Sequence, residues 1–213
     1  MLIELRIDSE KQKLKSIMNA VRRNCKVRGN KIHKVPHMTL YGPFSVRRGQ
    51  LDAIKGAISS AANKYKSLSF SIEDFDWFEG QYGKVIQFKI IPSEELNDFR
   101  YDVSQKLLQI APNTRSWDRE KDFIFHVTLA YMLSDGEFKR IWSYLHGKKS
   151  LLATIASKLG IVRSKSSNRI KISLSVDATR VTILSRKSKI ICEYDLMHKK
   201  FLKRKQVLDE IRR

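Results

Sequence analysis

The sequence predicts an α+β protein with largely antiparallel strands, and two observations support this expectation. Short segments in which apolar and polar residues alternate are mixed with longer segments whose apolar residues recur at helical spacing. One six-residue pattern, in the order apolar, any residue, His, apolar, Thr, Leu, also occurs twice, at residues 35–40 and 124–129. The repeat indicates two related halves within one domain that spans residues 1–213.

Periodicity and turn signals place the individual elements. Ser9 and Ser134 are suited to cap the helices that follow them. Predicted strands cover residues 2–7, 35–41, 68–78, 84–91, 123–132, 170–176, 180–184 and 190–196. Predicted helices cover residues 9–25, 50–64, 93–110, 134–145 and 151–159, and a basic amphipathic helix covers about residues 198–213.

The charge of the chain indicates the class of its partner. The net charge is +20, and the basic excess lies at the two ends. Residues 1–72 carry 15 basic against 4 acidic side chains and residues 123–213 carry 20 against 7, whereas residues 73–122 carry 7 against 11. Because Lys and Arg release condensed counterions when they neutralise phosphates, this excess favours nucleic acid. A surface that serves only solubility, or one that binds an anionic membrane surface, is the alternative.

The ends and the cysteines indicate the cellular setting. The N-terminus alternates apolar and charged residues, unlike a signal peptide, and no apolar run approaches the roughly 20 residues of a membrane span. Cys25 and Cys192 are isolated in the sequence, which favours reduced, structural thiols. We therefore expect a cytoplasmic protein that does not insert into a membrane. We also expect the protein to be a monomer.

Each copy of the repeated pattern places a histidine beside a threonine. The pairs are His37 with Thr39 and His126 with Thr128. Side chains alternate across a strand, so a His and a Thr two residues apart project from the same face, about 7 Å apart. The apolar residues between and after them point into the core. Two such strands side by side would form a cleft with two imidazoles and two hydroxyls.

These four groups suit reaction at a phosphodiester without a metal. One neutral imidazole can deprotonate the nucleophile, and one imidazolium can protonate the leaving oxygen. The threonine hydroxyls can donate hydrogen bonds to the non-bridging oxygens, where charge builds in the transition state. We therefore expect no cofactor and no metal. His33 and His37 are four residues apart, but Pro36 argues against the helix that would make them a zinc pair.

The two motifs resemble those of a known family. Pro36-His37-Met38-Thr39-Leu40 and Phe125-His126-Val127-Thr128-Leu129-Ala130 look like the paired signatures of the two-histidine (2H) phosphoesterase superfamily, particularly its 2'-5' RNA ligase-like and cyclic phosphodiesterase branch. The resemblance implies a bilobal, pseudo-twofold α+β fold of two antiparallel sheets flanked by helices, with both motifs in the central cleft. It implies that the two histidines are acid and base, that the two threonines bind phosphate, and that nucleoside 2',3'-cyclic phosphates are opened, usually to 2'-phosphates.

Several alternatives stay open on sequence alone. The same four residues would serve 2'-5' RNA ligation or trimming of RNA 3' ends, and a non-catalytic protein could keep the cleft for RNA recognition. Tyr41, Phe44 and Tyr131 are candidates to stack on a base, with core packing as the alternative. The basic cluster at residues 198–205 either contacts an RNA backbone or forms a solvated helix face. The remaining histidines, His33, His146 and His198, are expected to be solvated.

Overall fold

The computed structural model describes residues 1–27, 30–47, 49–147 and 169–212. The helix predicted at residues 151–159 lies outside the described residues. The strands are β1 Leu2–Arg6, β2 His37–Tyr41, β3 Leu68–Gly80, β4 Gly83–Pro92, β5 His126–Leu133, β6 Leu174–Ala178, β7 Arg180–Leu184, β8 Ile190–Asp195 and β9 Lys200–Lys203. The helices are α1 Lys11–Asn24, α2 Leu51–Ala62, α3 Glu94–Ile110, α4 Asp135–Leu145 and α5 Arg204–Arg212, with a short 3-10 helix at Ser116–Asp118.

All described strands join in one antiparallel sheet. The strand order is β6-β3-β4-β5-β2-β1-β7-β8-β9, which places the two motif strands, β5 and β2, next to each other in the middle. They are joined through a single residue pair, Met38 with Val127. The predicted α+β class with antiparallel strands and flanking helices is confirmed. The two expected sheets are two halves of one sheet, joined at this β2–β5 seam.

The two halves repeat the same order of elements. β1, α1, β2 and α2 follow one another in the first half, as β4, α3, β5 and α4 do in the second. In both halves the motif strand lies at the seam and pairs on its outer side with the strand that precedes it in the set. Helix contacts across the halves follow the same exchange, because α2 packs on α3 and α1 packs on α4. The described part of the chain thus has the pseudo-twofold arrangement.

One face of the sheet is covered by the helices. Pairing places five apolar side chains in a row across five strands, and they share one core cluster with the buried residues of α1 to α4. Burying such side chains stabilises the fold by about 1.5–3 kcal/mol each. The row consists of Val181, Leu5, Met38, Val127 and Phe88, all without solvent exposure. Because side chains alternate along a strand, the motif residues project from the opposite, open face.

Of the two predicted helix caps, one is confirmed and one is wrong. Ser134 caps α4 as predicted, in a capping box with Glu137, whose side chain accepts from the Ser134 N–H at 3.0 Å. The prediction that Ser9 caps the first helix is wrong. The Ser9 hydroxyl donates to the carbonyl of Asp177 at 3.2 Å, and α1 begins two residues later, after Glu10 in a left-handed conformation.

The C-terminal segment was also predicted incorrectly in part. A helix was expected from about residue 198, but β9 forms first and α5 starts at Arg204. Leu202 is buried opposite Glu193 of β8, and the Phe201 ring contacts the Tyr194 ring at 4.9 Å. These contacts with a strand distant in sequence outweigh the local helical pattern.

Candidate active site

The four motif side chains lie together on the open face at the β2–β5 seam. All four are partly exposed, whereas the alternate residues of both strands are buried. The strands are antiparallel about the Met38–Val127 pair, so this register places His37 beside Thr128 and Thr39 beside His126. The structure thus brings the four predicted residues into one diagonal arrangement of two imidazoles and two hydroxyls.

Both histidines are held by the same backbone contact. Nδ1 of His37 lies 3.0 Å from the carbonyl oxygen of Val35, and Nδ1 of His126 lies 3.2 Å from that of Ile124. A carbonyl only accepts, so Nδ1 carries the hydrogen and Nε2 is the nitrogen left for proton transfer. The residue two positions before each histidine therefore fixes its ring orientation and tautomer.

A carboxylate that sequence reasoning missed lies beside the first histidine. Oε2 of Glu4 is 4.0 Å from Nε2 of His37, and Glu4 pairs across β1 and β2 with Thr39. Burial raises the pKa of Glu4, and the neighbouring His37 and Arg6 act in the opposite direction. The alternation of the first strand placed Glu4 on its polar face, but only the pairing of β1 with β2 brings it to the motif.

The second histidine has an apolar environment. The Phe78 ring lies edge-on to the His126 ring, with 5.7 Å between centroids, and 39% of Phe78 is exposed. The pKa of His126 is lowered, mainly by burial and further by His37, although the hydrogen bond to Ile124 raises it. The neutral imidazole is therefore favoured at this position.

His33 does not lie in solvent as predicted. Its ring stacks on Tyr131 at 4.9 Å and contacts the His37 ring edge-on, also at 4.9 Å. Burial, followed by the proximity of His37, lowers the pKa of His33 to about 4. His33 is thus a neutral ring at neutral pH and supports one side of the first catalytic candidate.

The other two histidines also have contacts. His146 packs against Trp142 at 4.2 Å, and His198, which keeps an exposed side chain, lies 2.9 Å from a carboxylate oxygen of Asp195. The expectation of simple solvation was wrong for His146 and only partly correct for His198. Neither contacts a motif residue through these interactions.

Of the three aromatic candidates for stacking, the structure places one beside the motifs. Tyr131 is partly exposed and reaches the first histidine through His33. Tyr41 and Phe44 were predicted incorrectly, because both are buried and pack on each other at 5.1 Å. The Tyr41 hydroxyl donates to the carbonyl of Ala111 at 3.1 Å, so this side chain is a polar-tipped core residue.

Strand β4 adds two polar side chains to the second half of the site. Lys89 is directly opposite His126, and Gln87 is directly opposite Thr128. Lys89 is exposed and Gln87 is buried. Oε1 of Gln87 has no hydrogen-bond partner among the described residues. Sequence reasoning missed both residues because nothing local marks which strand lies beside the second motif.

The described residues contain neither a cluster suited to bind a metal ion nor a helix suited to span a membrane. No group of three or more His, Cys, Asp or Glu side chains in residues 1–27, 30–47, 49–147 and 169–212 is arranged to hold a metal ion. Within the same ranges, no helix combines the length and the apolar character that crossing a membrane requires.

The fold and the site together define a class. Paired H-x-T strands at the centre of a pseudo-symmetric antiparallel sheet are the arrangement of 2H phosphoesterases. A family model described as the 2'-5' RNA ligase superfamily matches residues 7–168, which include both motifs, and the chain belongs to this family.

Individual relatives are distant. A provisionally named phosphoesterase of Bacillus cytotoxicus is 29% identical over 113 residues, which are 53% of this chain and 61% of the relative. One of Bacillus licheniformis is 29% identical over 102 residues, 48% of this chain and 56% of the relative. The match therefore spans less than two thirds of these relatives. Two structures of Kluyveromyces marxianus Usb1, one with uridine monophosphate, are 16% and 18% identical, with TM-scores of 0.44 and 0.42. Each covers 85% of this chain, which in turn covers 91% and 90% of those chains.

Proposed function

We propose that the protein is a metal-independent phosphodiesterase that opens 2',3'-cyclic phosphates at RNA ends or on nucleotides. The observation that carries this proposal is the matched pair of histidines, each oriented through Nδ1 so that Nε2 is free for proton transfer. The net charge of +20 supports a polyanionic substrate.

The surroundings of the two histidines support different roles for them. The Glu4 carboxylate lies 4.0 Å from Nε2 of His37, where it can pair with the positive charge that a general acid carries before it donates its proton. Burial favours the neutral form of His126, as required of a general base. This agrees with a scheme in which His126 activates water and His37 protonates the leaving oxygen.

The reaction then proceeds in line at phosphorus. Nε2 of His126 removes a proton from water as the water oxygen bonds to phosphorus. The bond between phosphorus and the ribose 3' oxygen breaks, His37 donates its proton to that oxygen, and a 2'-phosphate remains. The hydroxyls of Thr39 and Thr128 donate hydrogen bonds to the non-bridging oxygens.

The test is turnover of an oligonucleotide with a 2',3'-cyclic phosphate, with identification of the product isomer. We expect a 2'-phosphate, activity that persists in EDTA, and a loss of roughly 10²-fold or more in His37→Ala and in His126→Ala. Full activity in the double variant would contradict the proposal. Salt-dependent RNA binding without turnover by the wild type would favour a non-catalytic role.

Ligation is the second candidate, because the matching family is described by its 2'-5' RNA ligase activity. The same groups would then activate a ribose hydroxyl of a second RNA in place of water, and the 3' oxygen would leave in the same way. Adding an acceptor RNA to the assay separates the two reactions by product length. Trimming of a 3' end would be visible in the same assay as stepwise shortening of the labelled RNA.

A further inference from the structure

The two halves of the site carry cations at equivalent positions. Arg6 of β1 is directly opposite His37, and Lys89 of β4 is directly opposite His126. The pseudo-twofold arrangement exchanges β1 with β4 and β2 with β5, so these two cations correspond to each other. Directly paired residues share a face of the sheet, which places both cations on the open face with the histidines.

The charge of Arg6 is neutralised within the protein. Its Nε lies 3.2 Å from a carboxylate oxygen of Asp8, and its Nη1 bonds to the carboxylate of Glu193. Only 10% of the Arg6 side chain is exposed. Arg6 is therefore a structural cation with little capacity to bind a substrate anion.

Lys89 has a different environment. It is exposed, and its ammonium group has no hydrogen bond or ion pair to any residue in the described part of the chain. An ordinary solvated lysine would also be exposed. Lys89 differs from an ordinary surface lysine in its position, because it is directly opposite His126 and so lies on the open face beside the motif residues. Lys89 thus provides, at the edge of the site, a positive charge that no described side chain neutralises.

We propose that Lys89 binds the phosphate adjacent to the scissile one in an RNA substrate, so that the RNA crosses the sheet over β4. This inference rests on the proposed function. The scissile phosphate is served by the side chains of β2 and β5, whereas β4 lies one strand further from the seam, about 4.8 Å beyond β5. The next phosphate along the RNA is the anion that a lysine at that distance can bind. On the other side of the seam, over β1, the equivalent cation is Arg6, which is already paired with Asp8 and Glu193.

The experiment compares two substrates that differ in this phosphate. One is a nucleoside 2',3'-cyclic monophosphate, and the other is a dinucleotide with one internal phosphate and a terminal 2',3'-cyclic phosphate. In Lys89→Gln, we expect kcat/KM for the dinucleotide to fall about tenfold or more, mainly through KM, with little change for the mononucleotide. Lys89→Arg should retain most of the preference for the dinucleotide. In Lys89→Gln, the salt dependence of dinucleotide turnover should weaken by about one unit in a log–log plot.

A matched control removes the same charge elsewhere. Lys106 lies on α3, where it pairs with Asp102 at 2.7 Å, and Lys106→Gln should leave both substrates unaffected. An equal loss on both substrates in Lys89→Gln, or no loss on either, would overturn the proposal. Binding of the dinucleotide product with a 2'-phosphate is measured in parallel. If the wild type turns over neither substrate, the proposed function fails, and an unchanged Kd for this product in Lys89→Gln would separately reject the phosphate site.

Discussion

The ring of Phe78 sets the environment of one histidine. Burial lowers the pKa of His126, and the proposed general base must be deprotonated, so we expect activity to rise as the pH increases through a value below the ordinary 6.5. Phe78→Ala would admit water and move this acidic limb of kcat/KM to higher pH. The control is Trp77→Ala, which removes a neighbouring ring that packs on Phe138 instead. An acidic limb that stays in place in Phe78→Ala, or moves equally in Trp77→Ala, would contradict this account.

The Glu4 carboxylate lies 4.0 Å from Nε2 of His37, the proposed general acid. Burial raises the pKa of Glu4 above its ordinary value. Glu4→Gln removes the negative charge beside this imidazole. The alkaline limb should then move to lower pH, by up to roughly one pH unit, with the acidic limb unchanged.

The comparison for this effect is Glu73→Gln, which removes a negative charge from an exposed position on β3. Its pH–rate profile should coincide with that of the wild type. If Glu4→Gln lowers activity equally at all pH values, Glu4 contacts the substrate or supports the fold and does not tune the acid.

At the scale of elements, one buried arginine of α3 connects β2 to the segment that leads into β5. The Arg100 guanidinium donates to the carbonyl of Trp117 at 2.8 Å and of Leu40 at 3.4 Å, and lies 3.8 Å from a carboxylate oxygen of Asp118. It also stacks over the Phe123 ring at 3.9 Å. Leu40 belongs to β2, and the other partners belong to the segment that leads into β5. Arg100 therefore helps to set the position of one motif relative to the other.

Replacing this side chain should be costly. Arg100→Met leaves the Asp118 carboxylate buried without its cation, and we expect the free energy of unfolding to fall by about 3–5 kcal/mol. Urea denaturation measures the change. Lys106→Met, on the same helix, should change stability by about 0.5 kcal/mol or less. A similar stability of the Arg100 and Lys106 variants would show that the Asp118 carboxylate is compensated by its other contacts.

Sequence patterns located most of these elements because their signals are local. The hairpin strands β3 and β4, the start of α3 and the cap of α4 depend on residues close together in the chain. Sequence patterns gave wrong predictions where a residue distant in the chain determines the local structure. Ser9 bonds to Asp177 instead of capping α1, and Leu202 joins β8 before the last helix can begin.

The same reason explains the outcome for the candidate site. Each H-x-T pair lies on a single strand, so alternation alone placed its His and Thr on one face. Glu4, Phe78 and Lys89 reach the motifs only through pairing of strands that are far apart in sequence. The aromatic residues Tyr41 and Phe44 followed their motif closely but fell on buried positions.

At the scale of the whole molecule, charge should govern the use of long substrates. The net charge of +20 predicts that kcat/KM for an RNA oligonucleotide falls more steeply with salt than kcat/KM for a cyclic mononucleotide. Turnover measured from 50 to 200 mM salt checks this, since several phosphate contacts lose orders of magnitude in affinity over about that range. Equal salt dependence for both substrates would mean that the basic surface does not contact RNA.

The two imidazoles lie on opposite sides of the β2–β5 seam, where few backbone hydrogen bonds fix the distance between them. One histidine belongs to the hydrogen-bonded ladder of β1 and β2 and the other to that of β4 and β5. Among the described residues, β2 and β5 pair through Met38 and Val127, and Ile32, which precedes β2, forms an isolated bridge to Ala130. Helix packing, in which α2 contacts α3 and α1 contacts α4, therefore contributes to that distance together with Arg100 and the Ile32–Ala130 bridge. A phosphate held by threonines from both strands would add cross-strand hydrogen bonds where the backbone provides few. A bound substrate would thus become part of the structure that keeps the proposed acid and base at a fixed separation.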